Sequence, residues 1–592
     1  MMERNFLLAL ALSFGVLALW TMYTAPTPEE LQAAEAERAI AAAEVESRAV
    51  REGVPGADPM IEPEAPTGSA AVSPPPIPVE PAEPVKPEET VDLRTDLVHA
   101  VFTSRGGGLI HWELEQYRDA YEPGEPPVEL TAFPSDRLVG LSTPLGSLGY
   151  GDLSQKRFEV SRPDSRSVVF TRTQAGITVR KIYRIEDGSY ELNLRIEIEN
   201  GSDRHLSPTF RVGWPVGGRD TPDWSELAVS VLHEGGVESH LLGSGGAPMS
   251  GFFGGGLEET ETYAGDVEWA GASTRYFLAA MIPESARDAR ARVVPPAGDL
   301  PASVELELKE VNVPPGQSAA RDFRMYLGPK EVETLDLAGA HLDEAIPKGW
   351  FPPLTNFFTW ALTAVHNVIP NYGIAIIVIT IIVRLLMYPV MQKQMKSMKR
   401  MTAMQPRMKE LQEKYADDKP KQSEEMMKLY KESGFNPLTG CLPMFLQLPV
   451  FIGLYYALQG AIQLRQEPFF GWITDLSAPE TLFMVPGLEL PIRVLPLLMG
   501  LSMVVQTRMT PTTMDPAQAR MMNTVMPVMF TVLFYGFASG LVLYWLVSNV
   551  LGIGQQVLIN RRKDDGIPLT TAAKPAEANP PAQPSRGKKK RK

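Results

Sequence analysis

The sequence predicts a polytopic α-helical membrane protein with six transmembrane helices and a large all-β domain on the outer side of the membrane. Three observations predict this fold class. Apolar segments of membrane-spanning length occur at the N-terminus and after residue 349. Between residues 91 and 345, short segments alternate apolar and polar residues at the spacing of a β-sandwich. Basic residues cluster beside some apolar segments and not others, which indicates the orientation.

Residues 1–23 are predicted to form an N-terminal transmembrane anchor. The stretch 5–23 is apolar throughout, and Trp20 and Tyr23 lie at its outer end, as is typical of a membrane interface. A cleaved signal peptide is the alternative, but Pro26 makes the nearest candidate cleavage site a poor one. Residues 24–90 are rich first in Ala and Glu and then in Pro, so we expect a disordered linker outside the membrane.

Residues 91–345 are predicted to form the β-sandwich. Its clearest strand candidates alternate apolar and polar residues, and Gly, Pro, Asn and Asp separate them. These candidates are 98–102, 167–172, 190–198 and 302–308. The Gly-rich run 243–256 is interpreted as a loop, because it lacks the strand and helix that flank a phosphate-binding loop.

From residue 346 the sequence predicts a membrane domain. Its aromatic and amphipathic first segment is expected to lie along the outer interface. The predicted elements are an interfacial helix at 346–370, transmembrane helix 2 at 371–391, a cytoplasmic helical hairpin at 392–437, transmembrane helix 3 at 438–461, an outer loop at 462–491, transmembrane helix 4 at 492–507, a cytoplasmic loop at 508–521, transmembrane helices 5 and 6 at 522–537 and 541–559, and a basic cytoplasmic tail at 560–592.

The positions of the basic residues indicate the orientation. Residues 392–436 contain eleven Lys and Arg, and residues 561–592 contain ten against three Asp and Glu. Both segments are therefore expected in the cytoplasm, whereas the loop 462–490 is poor in basic residues. Six spans then leave both termini in the cytoplasm and the sandwich outside.

The composition argues against several classes of function. A formal net charge of −14 is atypical of a general nucleic-acid binder. The single cysteine, Cys441, rules out a disulfide within the chain, and the seven histidines form no metal-binding motif. We therefore expect no metal and no cofactor, and no nucleotide-binding motif is present.

Arg384 is the first candidate functional residue. It lies nine residues before Lys393, so about 13 Å of helix separates it from the cytoplasmic segment. A charge at that depth is typical of a polar cavity, and Thr380 lies one turn away on the same face. The alternative is an arginine that extends to the inner headgroups.

Further polar residues occur within the later predicted spans. Each alone is typical of a hydrogen bond between helices, but together with Arg384 they favour a water-filled groove. They are Gln447, Gln506, Thr524, Thr531, Ser548 and Asn549. The spans contain no Asp or Glu to balance Arg384, which favours a groove for polar peptide over a proton-coupled carrier.

Two features lie on the cytoplasmic side. Methionines at steps of three and four form one helical face, and Pro406 is expected to bend or interrupt that helix. The face is either the seam of the hairpin or an adaptable surface that recruits varied apolar segments; the recruitment candidates are Met391, Met395, Met398 and Met408. The tail residues Arg586, Lys588, Lys589, Lys590, Arg591 and Lys592 are expected to contact ribosomal RNA or anionic lipid, or only to set the topology.

Several long motifs resemble the YidC/Oxa/Alb insertase family in its Gram-negative form. They are IIVITIIVRLLMYP (376–389), NPLTGCLPMFLQLPVFIGLYYAL (436–458), LRQEPFFGWITDLS (464–477), TPTTMDPAQ (510–518) and SGLVLYWLVSN (539–549). The sandwich resembles the family more loosely, in TSRGGGLI (103–110), TRYFLAAMIP (274–283) and LDEAIPKGWF (342–351). The resemblance implies a five-helix insertase core in the bacterial inner membrane and a periplasmic β-supersandwich.

The resemblance also implies a mechanism without covalent chemistry. A hydrophilic groove containing Arg384, Thr380, Gln447, Ser548 and Asn549 would receive polar parts of a nascent membrane protein. The apolar helix would slide along Phe445, Phe451, Tyr455, Phe530, Phe534, Tyr544 and Trp545, although the family commonly has Tyr-Tyr at the last two positions. Implied partners are nascent membrane proteins, the SecYEG and SecDF translocon components, the ribosome and the lipid bilayer, with no small-molecule substrate.

Three other functions are consistent with parts of the sequence. The sandwich could be a sugar-active enzyme, although no carboxylate pair stands out in it. The membrane domain could be a channel or transporter, which would show flux of a substrate. A structural assembly chaperone for the Sec translocon overlaps with the insertase hypothesis.

Overall fold

The computed structural model describes residues 87–119, 124–149, 151–217, 227–242, 257, 259–298, 300–416, 418–432, 438–487, 490–509 and 521–561. The predictions for the N-terminal anchor, the linker up to residue 86, the Gly-rich run 243–256 and the basic tail from residue 562 lie outside the described residues. The first part of the described chain is β-sheet, and the second is helical.

The β-sheet part agrees with the predicted position of the sandwich. Its strands are β1 (Thr90–Arg94), β2 (Val98–Thr103), β3 (Gly108–Arg118), β4 (Pro127–Glu129), β5 (Glu159–Asp164), β6 (Ser167–Gln174), β7 (Ile177–Ile185), β8 (Glu191–Asn200), β9 (Phe210–Pro215), β10 (Ala228–His233), β11 (Gly236–Leu241), β12 (Glu261–Ala264), β13 (Val267–Ser273), β14 (Phe277–Pro283), β15 (Ala289–Val294), β16 (Ser303–Leu308) and β17 (Ser318–Pro329). The four candidate strand segments all fall on β2, β6, β8 and β16, so that part of the sequence prediction is confirmed.

A nine-stranded antiparallel sheet is the centre of this domain. Its strand order is β11-β10-β13-β14-β17-β8-β7-β6-β5, and two four-stranded sheets, β1-β2-β3-β4 and β12-β15-β16-β9, accompany it. The indole of Trp112 on β3 donates to the carbonyl of Leu327 on β17, and Phe102 on β2 packs against Tyr183 on β7. All three sheets contribute to one hydrophobic core.

Alternation along the strands explains how this core forms. In β8, Leu192, Leu194, Ile196 and Ile198 are buried while most residues between them are not. Because successive side chains of a strand point to opposite faces, this period of two gives the sheet one apolar face. Burial of several such side chains, each contributing about 1.5–3 kcal/mol, stabilises the packed sheets.

The helices follow the sandwich. They are α1 (Val332–Ala338), α2 (Pro352–His366), α3 (Tyr372–Lys414), α4 (Lys419–Glu432), α5 (Leu438–Gly460), α6 (Val494–Met509), α7 (Met526–Leu533) and α8 (Ser539–Arg561). A π-helical turn, Met521–Val525, precedes α7, and a 3₁₀ turn, Phe534–Gly536, follows it. A short hairpin of strands β18 (Phe483–Val485) and β19 (Leu490–Ile492) precedes α6 and was not predicted from the sequence.

Helix α3 is longer than the span predicted at 371–391. It begins where the Asn371 side chain accepts from the backbone N–H of Ile374, a typical N-cap, and it ends at Lys414. Pro389 and Pro406 both lie inside it, so the helix is not interrupted at Pro406, and the alternative of a bend there stays a prediction. A proline removes one intrahelical hydrogen bond, and the remaining bonds on either side keep the helix continuous here.

Two described segments are both long and apolar enough to cross a membrane, Tyr372–Gln392 and Ser539–Ile559. Val494–Met509 and Asn523–Gly536 are apolar but shorter. The prediction of six spans therefore stays a prediction. In α2, Phe358 and Leu362 are buried, whereas the aromatic residues Phe357 and Trp360 are exposed, and the location of this helix along the interface stays a prediction.

Candidate functional site

Arg384 is the only arginine in the segment Tyr372–Gln392 of α3. It is the thirteenth residue of α3, about 18 Å along the helix from its start. Its Nε and Nη2 atoms donate to the Ser548 hydroxyl on α8, at 3.0 and 2.5 Å. Within the described chain, no carboxylate pairs with the guanidinium. The side chain is partly buried, so some of its surface remains accessible.

Two further helices, α5 and α6, contribute polar groups close to this contact. One turn before Ser548, the Tyr544 hydroxyl accepts from the amide of Gln447 on α5 at 2.9 Å. One turn after Ser548 comes Gly552, where a Cβ atom would lie 2.9 Å from Gln506 Nε2 and 3.8 Å from Arg384 Nη1. The glycine therefore lets α3 and α6 approach α8 together. Arg384 and the five residues around it are called the Arg384 cluster below; the five are Gln447, Gln506, Tyr544, Ser548 and Gly552.

Two other predicted groove residues make hydrogen bonds outside the Arg384 cluster. The Asn549 amide donates to the Ser502 hydroxyl at 3.0 Å, and both residues are buried. The Thr380 hydroxyl donates to the carbonyl of Ile376 in its own helix at 2.6 Å, and Thr380 is 1 % exposed. These geometries are typical of helix packing, so a role for either residue in a groove stays a prediction.

Four aromatic residues form a cluster across α5, α7, the 3₁₀ turn that follows α7, and α8. The Trp545 ring lies 4.8 Å from Phe451, 6.0 Å from Phe530 and 4.7 Å from Phe534, measured between ring centroids. Tyr455 continues the cluster at 6.1 Å from Phe451. Tryptophan at 545, where the resembling family commonly has tyrosine, thus makes three ring contacts. Two predicted slide residues remain: Tyr544 is buried and bonded to Gln447 beside Arg384, and the side chain of Phe445 lies outside the described residues.

The methionine face of α3 is mostly inaccessible where it can be assessed. Met395 and Met408 are buried, Met391 is partly buried, and the Met398 side chain is outside the described residues. Burial favours the alternative in which the methionines form the seam of the helical hairpin. The predicted tail contacts lie beyond residue 561 and also outside the described residues. Among the residues that the structure describes, no group of His, Cys, Asp and Glu could hold a metal ion.

The segment 464–480, called the outer connector below after its predicted location outside the membrane, contacts the starts of three membrane-domain helices. Asn371, just before α3, donates to the carbonyl of Phe469, and the backbone N–H groups of Ser539 and Gly540 in α8 donate to Ala478 and Leu476. Glu480 accepts from the backbone N–H of Leu495 in α6 at 2.7 Å. These bonds hold the starts of α3, α6 and α8 together.

The outer connector also contacts the sandwich. Arg275, between β13 and β14, donates to the carbonyls of Gln459 at the end of α5 and Ser477, both at 3.2 Å. In the opposite direction, Arg465 donates to the carbonyl of Arg118 on β3, and Gln466 donates to the same carbonyl at 2.9 Å. The sandwich therefore lies at the end of the helical part that the outer connector closes.

Comparison with known proteins matches both parts of the chain. Residues 364–566 match the family model described as the 60Kd inner membrane protein, and residues 90–361 match that of the YidC periplasmic domain. The membrane protein insertase YidC of Syntrophus aciditrophicus is 34% identical over 95% of this chain and 100% of its own length. That of Citrifermentans bemidjiense is 37% identical over 81% of this chain and 87% of its own length.

The chain belongs to the YidC family of membrane protein insertases. Proteins of this family are not enzymes, so the hypothesis of a sugar-active sandwich is wrong. The family assignment makes this an inner-membrane protein, and its sandwich is the periplasmic domain. A crystal structure of an active YidC insertase with its first transmembrane domain resolved is 19% identical, covering 79% of this chain and 92% of its own, with a TM-score of 0.34.

Sequence reasoning about this YidC-family chain missed the outer connector and Arg275. The motif 464–477 carried the resemblance to the family, but no side chain in it was given a role. The signal was a loop rich in aromatic and charged residues between two apolar segments. Arg275 gave no separate signal, because one arginine in a strand-rich domain is most often a solvated surface residue.

Proposed function

We propose that this insertase receives the polar part of an incoming membrane protein, its client, at the Arg384 cluster. The observation that carries the proposal is a guanidinium between membrane-domain helices whose hydrogen bonds in the described chain go to a neutral hydroxyl. An arginine with a structural ion pair would already have its charge neutralised. Arg384 keeps a positive charge available for a carboxylate of the client.

The strength of that attraction depends on the surroundings. At 4 Å, two opposite charges attract by about 4 kcal/mol at the effective dielectric constant of about 20 that suits partly buried pairs. Partial burial of Arg384 and burial of Ser548 keep bulk water from part of the site. A hydrophilic groove around this cluster would shorten the path over which a polar client segment loses its hydration.

The apolar part of the client requires a different surface. We assign this role to the aromatic cluster around Trp545, on the faces of α5, α7 and α8. Rings at these positions offer large apolar area without hydrogen-bond requirements beyond the indole N–H. Transfer of the client's own apolar side chains into lipid, worth about 1.5–3 kcal/mol for each Leu-sized group, drives the process.

The topology in this proposal has six spans, with both termini in the cytoplasm. The contacts of the outer connector with the periplasmic domain support an outer location for the ends of α3, α5, α6 and α8. The eleven basic residues in 392–436 support a cytoplasmic hairpin. The basic tail would contact the ribosome or anionic lipid, and SecYEG and SecDF would cooperate with the insertase on larger clients.

The test is insertion of a small client into liposomes that contain the full chain. One client carries an acidic outer segment, and a second carries the same segment with its carboxylates changed to amides. Protection of that segment from added protease measures insertion. We expect Arg384→Ala to lower the insertion rate of the acidic client by about tenfold, which corresponds to about 1.4 kcal/mol of barrier. The same substitution should lower the insertion rate of the amide client much less.

Two variants make the comparison specific. Arg384→Lys keeps the charge, so it should retain most of the insertion of the acidic client. Arg508→Ala removes an exposed arginine from the last turn of α6 and controls for loss of basic charge elsewhere. Equal insertion of both clients by wild type and Arg384→Ala would contradict the role of the guanidinium. No insertion by wild type above empty liposomes would contradict autonomous insertion.

A further inference from the structure

The hairpin of β18 and β19 is apolar on both of its faces. Its strands pair in antiparallel register, with Phe483 opposite Ile492 and Val485 opposite Leu490. Phe483 and Met484 are consecutive, so their side chains point to opposite faces, yet they are 53 % and 51 % exposed. The described residues 482–487 and 490–492 are all apolar, and Leu488 and Glu489 between them lie outside the described residues. A two-stranded hairpin surrounded by water would present at least one polar face.

The hairpin is fixed to the membrane domain at its base. The Tyr535 hydroxyl, just after α7, donates to the carbonyl of Pro491 at 2.5 Å. Arg493, between the hairpin and α6, donates to the Tyr535 carbonyl. The hairpin therefore lies where α6 begins and α7 ends, beside the outer connector and on the side of the periplasmic domain.

Helix α6 is short for a membrane span. Its 16 residues give a length of about 24 Å, against about 30 Å for the hydrocarbon of a typical bilayer. Its side chains Leu497, Leu498 and Leu501 are exposed. The apolar strand β19, in which Leu490 is exposed, is separated from α6 only by Arg493, so the exposed apolar residues extend along the chain beyond the start of the helix.

We propose that strands β18 and β19 of this hairpin form a lipid anchor that lies in the outer leaflet of the inner membrane and contacts phospholipid acyl chains. The exposed leucines of α6, which begins just after β19, favour lipid as the occupant. The hairpin lies at the boundary of headgroups and acyl chains, because an open two-stranded sheet has unpaired backbone groups that cannot enter the hydrocarbon centre. Pro486 and Pro491 lack an N–H and so reduce the number of unpaired donors.

The experiment measures the surroundings of single labelled positions in the full chain, reconstituted in phospholipid vesicles. The native Cys441 is replaced by serine, and a polarity-sensitive fluorophore is attached to Met484→Cys. Leu501→Cys on the exposed face of α6 is the control for lipid, and Ser161→Cys, exposed on β5 of the sandwich, is the control for water. Quenching by spin-labelled lipids at two depths is compared with quenching by aqueous iodide.

We expect lipid-borne quenchers to act on position 484, with the shallow quencher stronger than the deep one. Position 501 should show the reverse order, and iodide should quench position 484 several-fold less than position 161. Iodide quenching at 484 equal to that at 161 would overturn the proposal. Lipid quenching at 484 that appears only at high protein-to-lipid ratio would indicate a second copy as the occupant and would also overturn it. Protection of position 484 from iodide that appears only when a client is added would also overturn the proposal.

Discussion

Lys181 lies on the buried face of β7, where the alternation of the strand predicts an apolar side chain. It is 0 % exposed, and its ammonium donates to the carbonyls of Gly106 and Leu141 at 3.1 and 3.0 Å. Beside it, the Tyr183 hydroxyl donates to the carbonyl of Gly107 at 2.8 Å. Gly106 has a φ of +67°, and a Cβ there would lie 2.2 Å from the Ser154 carbonyl oxygen, so only glycine fits this turn. Lys181 thus holds the turn of the TSRGGGLI motif.

Burial of Lys181 predicts that the stability of the sandwich rises with pH. Desolvation lowers the pKa of Lys181 from 10.5 to about 7. Between these two values the unfolded chain binds more protons than the folded chain, so the free energy of unfolding increases as pH rises from about 7 to about 10.5. Below about 7 both states are protonated, and this contribution to the pH dependence ends. Between pH 7 and pH 9 the expected gain is about 2 kcal/mol.

Thermal unfolding of the full chain in detergent, followed by tryptophan fluorescence, measures this effect. Lys181→Met is the matched variant, because it keeps the length of the side chain and removes the titrating group. It should show a smaller rise of the transition temperature from pH 7 to pH 9 than wild type. It should also be less stable at pH 9, since two buried carbonyls lose their donor. The same pH dependence in both proteins would exclude Lys181 as its source.

Lys181 and Arg384 show different limits of prediction from sequence. Arg384 stood out because it interrupts a continuous apolar run, and a charge in such a run is costly wherever the helix lies. Lys181 lies in ITVRKIYRI among Arg180 and Arg184, where charge is ordinary for a half-exposed strand. Only the register of β7 against β6 and β8 shows which residue of that cluster points into the core.

At the scale of elements, helix and strand positions were largely predictable, and their connections were not. The period of two identified β8, and the apolar run identified the first half of α3, because each pattern repeats along the element. Several contacts of the outer connector join residues far apart in the chain: Arg275 and Ser477 are 202 positions apart, and Arg465 and Arg118 are 347 positions apart. Pairings of that kind depend on the assembled fold and leave no local pattern in the sequence.

Glu480 anchors the outer connector to the start of α6. Its carboxylate accepts from the backbone N–H of Leu495 at 2.7 Å and from the Trp472 indole N–H at 2.8 Å, and the residue is 5 % exposed. A negative charge at a helix N-terminus also interacts favourably with the helix dipole. Both carboxylate oxygens accept hydrogen bonds, so the side chain cannot be replaced by its amide without loss.

We therefore predict that Glu480→Gln loosens the outer connector. The amide group must place its NH₂ against one of the two donors, which costs about 1–3 kcal/mol. Hydrogen exchange measured by mass spectrometry on the full chain should become faster in 472–480 and in the first turn of α6. Glu467→Gln is the control, because Glu467 lies in the same segment and makes no side-chain hydrogen bond in the described part of the chain. Unchanged exchange in Glu480→Gln, or equal acceleration in the control, would argue against this anchor.

At the scale of the whole molecule, the sandwich and the membrane domain are joined by reciprocal contacts. Arg275 reaches from the sandwich to two carbonyls of the membrane domain, and Arg465 reaches from the outer connector to the sandwich. Ile462, which follows α5, is 5 % exposed and belongs to the hydrophobic core of the sandwich. The outer ends of the helices and the periplasmic domain are thus packed as one unit, which predicts that they move together.

The double variant Arg275→Ala/Arg465→Ala tests whether these contacts hold the sandwich and the membrane domain together. Each arginine contributes hydrogen bonds to carbonyls worth on the order of 1 kcal/mol at a partly exposed contact. Exchange should therefore become faster both in 459–477 and at the end of β3, with the double variant affected more than either single one. Arg290→Ala is the control, because Arg290 is exposed on β15 and its ion-pair partner is Glu307 within the sandwich.

Unchanged exchange in the double variant would mean that Ile462 and the surrounding apolar packing hold the two parts together without the arginines. Faster exchange with undiminished insertion of the acidic client would have a different consequence. The client is proposed to meet Arg384 about 18 Å along α3 from its outer end, beyond the first turns that the outer connector holds. Insertion would then depend on the arrangement of α3, α5, α6 and α8 around Arg384, and the position of the sandwich would not limit it.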